Sequence, residues 1–407
     1  MRQFKPKRST GILSLEAEIK RDLQRHLKWL GFSKDGSGLL CPPELTKECF
    51  KALHASHRDE RLARETGFIA RAWPSLSCYF ADGCEVQPSH ISPRLELIQG
   101  GTWQSELFRL AALTWSVPVS QGYGRRMRFL VWDDYNERLI GLLALGDPVF
   151  NLRVRDEWIG WNVKQREERL VNVLDAYVLG AVPPYNMMLG GKLIACLART
   201  RDVREIFTER YRDTCGIISG KRKRADLCLI TTSSALGRSS LYNRLSLDGN
   251  RIFISIGYTS GWGHFHIPDA LFAKMREYLS RIDDRYARNY GFGEGPNWKL
   301  RATRKVLSRI GMDPDLLRHG ILREVFVCPL ASNAREFLTG KVEHPCFPDL
   351  KTSNEVAKAA LARWVIPRAE RRPEFQAWRR SDTERLLHPQ LGWSSRNGAD
   401  RIKPRRA

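Results

Sequence analysis

The sequence has no long apolar run, no closely paired cysteines and few acidic residues for its many basic ones. Its best apolar stretch, LIGLLALG at 139–146, falls far short of the roughly 20 residues that a membrane-crossing helix needs. The opening MRQFKPKRST is basic but leads into no apolar segment, which predicts no secretory signal and no membrane partner. Nine cysteines, an odd number without any Cys-x-x-Cys spacing, speak against a disulfide framework and fit a reducing, cytoplasmic setting. Cys41, Cys49, His54, His57, Cys78, Cys84 and His90 crowd together, but not at the spacing of a zinc ribbon. His264 and His266 alternate along an expected strand with no third ligand nearby, so no metal site is expected. A Walker loop, a nucleophile elbow and a Rossmann fingerprint are also missing.

What is present is positive charge. Across 407 residues, 67 Lys and Arg face 45 Asp and Glu, a formal net charge of +22. Such an excess favours polyanions through counterion release and long-range attraction, so DNA or RNA is the expected partner. At 42% apolar and 28% charged residues the composition is otherwise that of an ordinary folded protein.

Hydrophobic periodicity divides the chain into three stretches. Residues 1–95 read as helical, with Leu15, Ile19, Leu23 and Leu27 on one stripe and a second helix opening at PPELTKE. Residues 96–340 read as an α/β core. RMRFLVWD and RLIGLLALG flank the turn-like Asp134-Tyr135-Asn136-Glu137 as a hairpin, and VRDEWIGW follows as a third strand. A charged helix is expected over about 163–171, then DAYVLGAV as a strand with its helix, and a further helix ending near Tyr211. The strand LCLITT comes next, SSALGRSSLYNRL reads as helical, and RIFISIGYT and WGHFHI read as strands. GPNWKLRATRKVLSRIG is a helix bearing Lys299, Arg301, Arg304, Lys305 and Arg309, and ILREVFVCPL is a late strand. Residues 341–407 hold a closing helix and a basic tail, flexible beyond about residue 366. Strands alternating with helices define a mixed α/β sheet flanked by helices.

Three segments concentrate groups able to do chemistry. In DAYVLGAVPPYNMMLGGKLIACLA a strand stops at Pro183-Pro184 and restarts as a helix containing Gly190 and Gly191. Two readings stand: an anion site in which Tyr185, Asn186 as helix cap and Lys192 join the free helix N–H groups, or close packing of helix on sheet. In GDPVFNLRVRDEWIGW, Asp147 or Asp156 is a candidate general base and Arg155 a candidate stabiliser of negative charge. The alternative there is an Arg–Asp network clamping a loop. In SGKRKRADLCLITTSSALGRSSLYNRL, Lys221, Arg222, Lys223 and Arg224 suit phosphates, while Arg238, Ser240 and Tyr242 crowd a strand end.

Five segments closely resemble the DruA family of the Druantia anti-phage defence system: WSVPVSQGYGRRMRFLVWD, LIGLLALGDPVFNLRVRDEWIGW, DAYVLGAVPPYNMMLGGKL, TTSSALGRSSLYNRL and GYTSGWGHFHI. The resemblance runs over about residues 15–340. It implies a bacterial cytoplasmic protein that blocks phage propagation with partner subunits, one of them a large helicase-like protein. It supplies no established reaction. The order of elements is also similar to the GNAT acetyltransferase plan, particularly to Mom-type enzymes that modify DNA adenines. That likeness implies a GNAT-like central sheet, acetyl-CoA or a similar coenzyme at the 175–198 loop, and a functional role for Tyr242. The usual Gln/Arg-x-x-Gly-x-Gly/Ala signature is absent, with Gly190-Gly191 in its place.

Overall fold

The structure, a computed structural model, describes residues 14–34, 40–41, 47–120, 122, 124–215, 220, 222–261, 263, 267–287, 296–317 and 322–388. Contacts gather the chain into two units, residues 1–57 with 260–322 and residues 58–259 with 323–407. Among the described residues no helix is long and apolar enough to cross a membrane.

The smaller unit is helical. Of the expected stripe, Leu15–Trp29 buries Ile19, Leu23 and Leu27 and leaves Leu15 half-buried, and Ser14 caps the helix by accepting from the Ala17 N–H at 3.2 Å. Pro296–Arg309 buries Ala302, Val306 and Leu307 and leaves Arg301, Arg304 and Arg309 exposed. Lys299 turns back to Asp269 at 2.7 Å. The expected strand WGHFHI, with His264 and His266, lies largely outside the described residues.

The larger unit is built on a seven-stranded sheet. Its strands are β1 (Pro93–Leu97), β2 (Arg126–Asp133), β3 (Arg138–Gly146), β4 (Val173–Ala181), β5 (Leu229–Ser233), β6 (Ile254–Tyr258) and β7 (Glu324–Pro329). They lie in the order β6-β7-β5-β4-β3-β2-β1. Every neighbouring pair is antiparallel except β4 and β5. Alternate residues feed opposite faces. Phe129, Leu143, Leu174, Ile230 and Phe326 pack beneath the helices Gly190–Leu197 and Ser353–Ala360. Leu130, Leu142 and Val178 point the other way, against Trp103–Ala112, and Val173, Leu229 and Val327 meet Ile159 and Phe337.

Four expectations are corrected. VRDEWIGW is not a strand: Arg153–Ile159 is a helix, ended by Gly160 in the left-handed region at φ 82°. SSALGRSSLYNRL is not a helix beyond one tight turn at Tyr242–Arg244, because a buried carboxylate described below binds its backbone and side chains. The C-terminal region stays folded to residue 388, with Phe375, Thr383 and Leu387 buried and Arg380 bonded to Asp82 and Phe80. Residues 389–407 lie outside the described residues. Finally, Pro93–Leu97 is an edge strand that begins within the stretch read as helical and crosses the expected boundary at residue 95.

Candidate functional site

Strands β4 and β5 run together only briefly. Their parallel pairing covers Val173–Asp175 against Leu229–Thr231 and then stops. Past that point β4 stays with β3, and β5 stays with β7. The Thr232 hydroxyl donates to the Ala176 carbonyl at 2.9 Å at the start of the gap. A parting of this kind turns two adjacent strand ends into a crevice whose walls are rigid.

Asp175 stands at the parting. Its carboxylate accepts from the Thr231 hydroxyl at 2.7 Å, and that is its only hydrogen bond among the described residues. Burial pushes its pKa up to about 6, against the opposing pull of the Thr231 bond and the positive charge of Arg155. Tyr242 lies on the other side of the gap, its ring 5.0 Å from that of Phe253 and 5.1 Å from that of Phe326. Burial raises its phenol to about 12, helped by the Asp175 charge, while a bond with Thr232 works against the rise.

Glu324 holds the Tyr242 segment in place. It is 4% exposed and accepts from the Ser239 N–H, the Ser255 hydroxyl and the Asn243 amide at 2.8–3.0 Å. Burial works to raise its pKa, but these donors outweigh burial and hold the carboxyl below its usual range. Ser240 and Arg238 are exposed beside it.

The 146–161 segment forms the neighbouring wall. Arg155 is fully buried. It donates to the carbonyls of Val149 at 2.7 Å and Phe150 at 2.8 Å, and to Asp156 at 2.7 and 2.9 Å. Asp156 also accepts from Trp161 at 3.0 Å and from Arg166 at 2.7 Å. Both its oxygens are engaged. Asp147 is tied to Arg125 by two side-chain contacts of 2.8 Å and accepts from the Arg125 N–H at 3.0 Å. A cavity of about 390 Å³ opens here, lined by Asn151, Arg153, Asp156, Glu157, Trp161 and Arg166.

The loop after β4 answers the glycine question in favour of close packing. A Cβ on Gly190 would meet the Tyr185 carbonyl at 2.6 Å and Ala181 at 2.9 Å, while Leu241 lies 3.3 Å from the Cβ position of Gly191. The helix begins only after Leu189, which is left-handed at φ 63°. Asn186 is therefore not its cap; it lies exposed within the tight turn Tyr185–Met188. Tyr185 is buried, with its hydroxyl 2.9 Å from Asp133. Lys192 sits over the Trp364 ring at 5.0 Å. The residues here do not fit a coenzyme pyrophosphate.

Of the basic run, Arg222 is exposed and pairs with Asp213 at 3.3 Å. Lys221 and the side chains of Lys223 and Arg224 lie outside the described residues. Among the described residues no group of three His, Cys, Asp or Glu could hold a metal ion.

Asp175 was not singled out from the sequence. The available signal was a lone acid inside the apolar run VLDAYVLGA, where an unpaired carboxylate is costly.

These features define a mixed α/β protein whose polar groups converge where a sheet parts. The chain belongs to the DruA family: a family model described as Druantia protein DruA matches residues 44–340. The Druantia protein DruA of Escherichia coli (strain UMEA 4076-1) is 55% identical to it over 368 residues, 90% of this chain and 91% of that protein. No solved structure matches. Family membership makes the chain a component of an anti-phage defence system.

Proposed function

We propose that this chain acts on nucleic acid within the defence system, alongside other subunits including a helicase-like protein, and that Asp175 moves the proton in that reaction. The observation that carries this reading is a partly buried carboxyl with one hydrogen-bond donor, raised to about 6, at the point where β4 and β5 separate. A carboxylic acid with that pKa is mostly ionised near neutral pH and still basic enough to accept a proton. Arg155 lends its charge to the ionised form. Tyr242 stays protonated and can donate a hydrogen bond to an oxygen that gains charge. Asp147 and Asp156 are committed to arginines and act by holding the walls, not as bases. The single parallel pair among antiparallel neighbours supports the GNAT-like reading of the sheet. The surplus of 22 positive charges supports a sugar-phosphate partner.

The test is a phage-plating assay in cells carrying the complete system. With Asp175→Asn, plaque numbers are expected to return to those of cells lacking the system, while the purified variant unfolds at or slightly above the wild-type temperature. Full protection by this variant would remove the catalytic reading. Gel shifts with wild-type protein should show binding that weakens steeply with salt. No complex even at low salt would remove the nucleic-acid reading.

A further inference from the structure

The cavity beside α-helical residues 153–159 has an unusual make-up. The charges that line it balance, Arg153 and Arg166 against Asp156 and Glu157: Glu157 pairs with Arg153 and Asp156 with Arg166, each at 2.7 Å, while Arg155 lies fully buried behind them. A wall so balanced has little net attraction for a bare phosphate. What remains available is flat and directional. The Trp161 indole, only 7% exposed, backs the cavity 5.5 Å from the Arg155 guanidinium, and Asn151 is exposed, its amide offering a donor and an acceptor. Arg166 is only 14% exposed, and its Nε has no hydrogen-bond partner.

Next to this cavity two apolar side chains are held in water. Val149 and Phe150 are each 44% exposed, and the Arg166 guanidinium stacks over the Phe150 ring at 4.4 Å. Their backbone carbonyls are the two that the fully buried Arg155 grips. A buried cation therefore fixes an exposed aromatic ring at the rim of a cavity whose lining charges balance. Rigid support of an exposed contact group is the arrangement that binding sites need.

We infer that this cavity receives one unpaired nucleobase, stacked at the Phe150–Arg166 rim and read at its edge by Asn151. The inference rests on the nucleic-acid reading above and names what that site recognises. A nucleobase is planar, uncharged and edged with donors and acceptors, which is what the walls can satisfy. The volume of about 390 Å³ lies within the range of small-ligand sites. Stacking of bases on aromatic and arginine planes is a general mode of single-strand recognition. The phosphates on either side would remain outside, among the exposed cations.

The experiment compares two labelled single strands by fluorescence anisotropy with the full chain: an ordinary DNA oligonucleotide and one of equal length with abasic sugars throughout. Wild type should prefer the base-bearing strand by about tenfold, the scale of one lost stacking contact. Phe150→Ala and Asn151→Ala, both at exposed positions, should each erase most of that preference and leave abasic binding unchanged. Equal binding of the two strands by wild type overturns the inference and leaves the nucleic-acid reading standing. A preference that survives in both variants also overturns it. Failure to bind either strand overturns the nucleic-acid reading, and the inference with it.

Discussion

Near the start of β4 a partly buried carboxylic acid sits beside a hydroxyl, and just past its end the same pairing recurs, yet the two places differ in what is left over. Past the end, Asp133 is 0% exposed and accepts from the Ser92 N–H, the Tyr135 N–H and the Tyr185 hydroxyl. Near the start, Asp175 has only the Thr231 hydroxyl. Burial raises both acids. Three donors divide the charge of Asp133 among fixed partners and close the β2–β3 hairpin over the turn that carries Tyr185. One donor leaves Asp175 an oxygen for something else. A saturated buried acid builds a fold, whereas an unsaturated one stores reactivity.

Three measurements can break or sharpen that contrast. The largest effect is expected from Arg155→Met, which strips the loop of its clamp and leaves Asp156 short of a cation. Loss of one partner from a buried pair should cost about 3–5 kcal/mol in urea unfolding. A loss below about 1 kcal/mol would mean that the loop is held by something else. Next comes Tyr185→Phe, which removes one donor from Asp133 and should cost about 1–2 kcal/mol while phage protection persists. Loss of protection without loss of stability would move the reactive end of β4 to the wrong place.

The smallest effect is on stability in Asp175→Asn, and its sign is diagnostic. The folded pKa of Asp175, about 6, lies above the usual 3.8, so the unfolded chain ionises first. Stability from this group is therefore intact below the usual value and is lost as pH rises towards 6, then stays level. The full rise from 3.8 to about 6 is worth at most roughly 3 kcal/mol. The partial exposure of Asp175 and the altered Thr231 bond trim the variant's net gain to about 1 kcal/mol near pH 7, vanishing below about pH 4. A variant less stable at neutral pH would show that the ionised carboxylate is a structural group like Asp133.

Much of the sheet was legible because strands β2, β3, β5 and β7 are almost wholly buried on both faces and the strands are bounded by turn residues. The β2–β3 hairpin, β4 with its helix, and β5, β6 and β7 all read directly from apolar runs. Where the reading failed, tertiary contacts decided. Arg153–Ile159 carries apolar residues at spacings that either a strand or a helix can use, and the demand of Arg155 for loop carbonyls selects the helix. The 234–245 segment has helix-like periodicity, but Glu324, some eighty residues away, takes its donors. Edge strand β1 is five residues long and opens on proline, too short to show a period. The grouping of polar residues over 146–161 was visible from the chain, whereas the partnering of Asp147 and Asp156 with arginines depends on Arg125 and Arg166 arriving from other elements.

Strands β6 and β7 are paired neighbours, with Tyr258 opposite Glu324, and the Thr259 N–H meets the Arg323 carbonyl at 2.9 Å. All of residues 260–322 thus leave and re-enter the sheet through one doorway. Closing a longer excursion adds little entropic cost once its ends are pinned together. A change in the length of that excursion would therefore leave the strand order and the β6–β7 pairing intact.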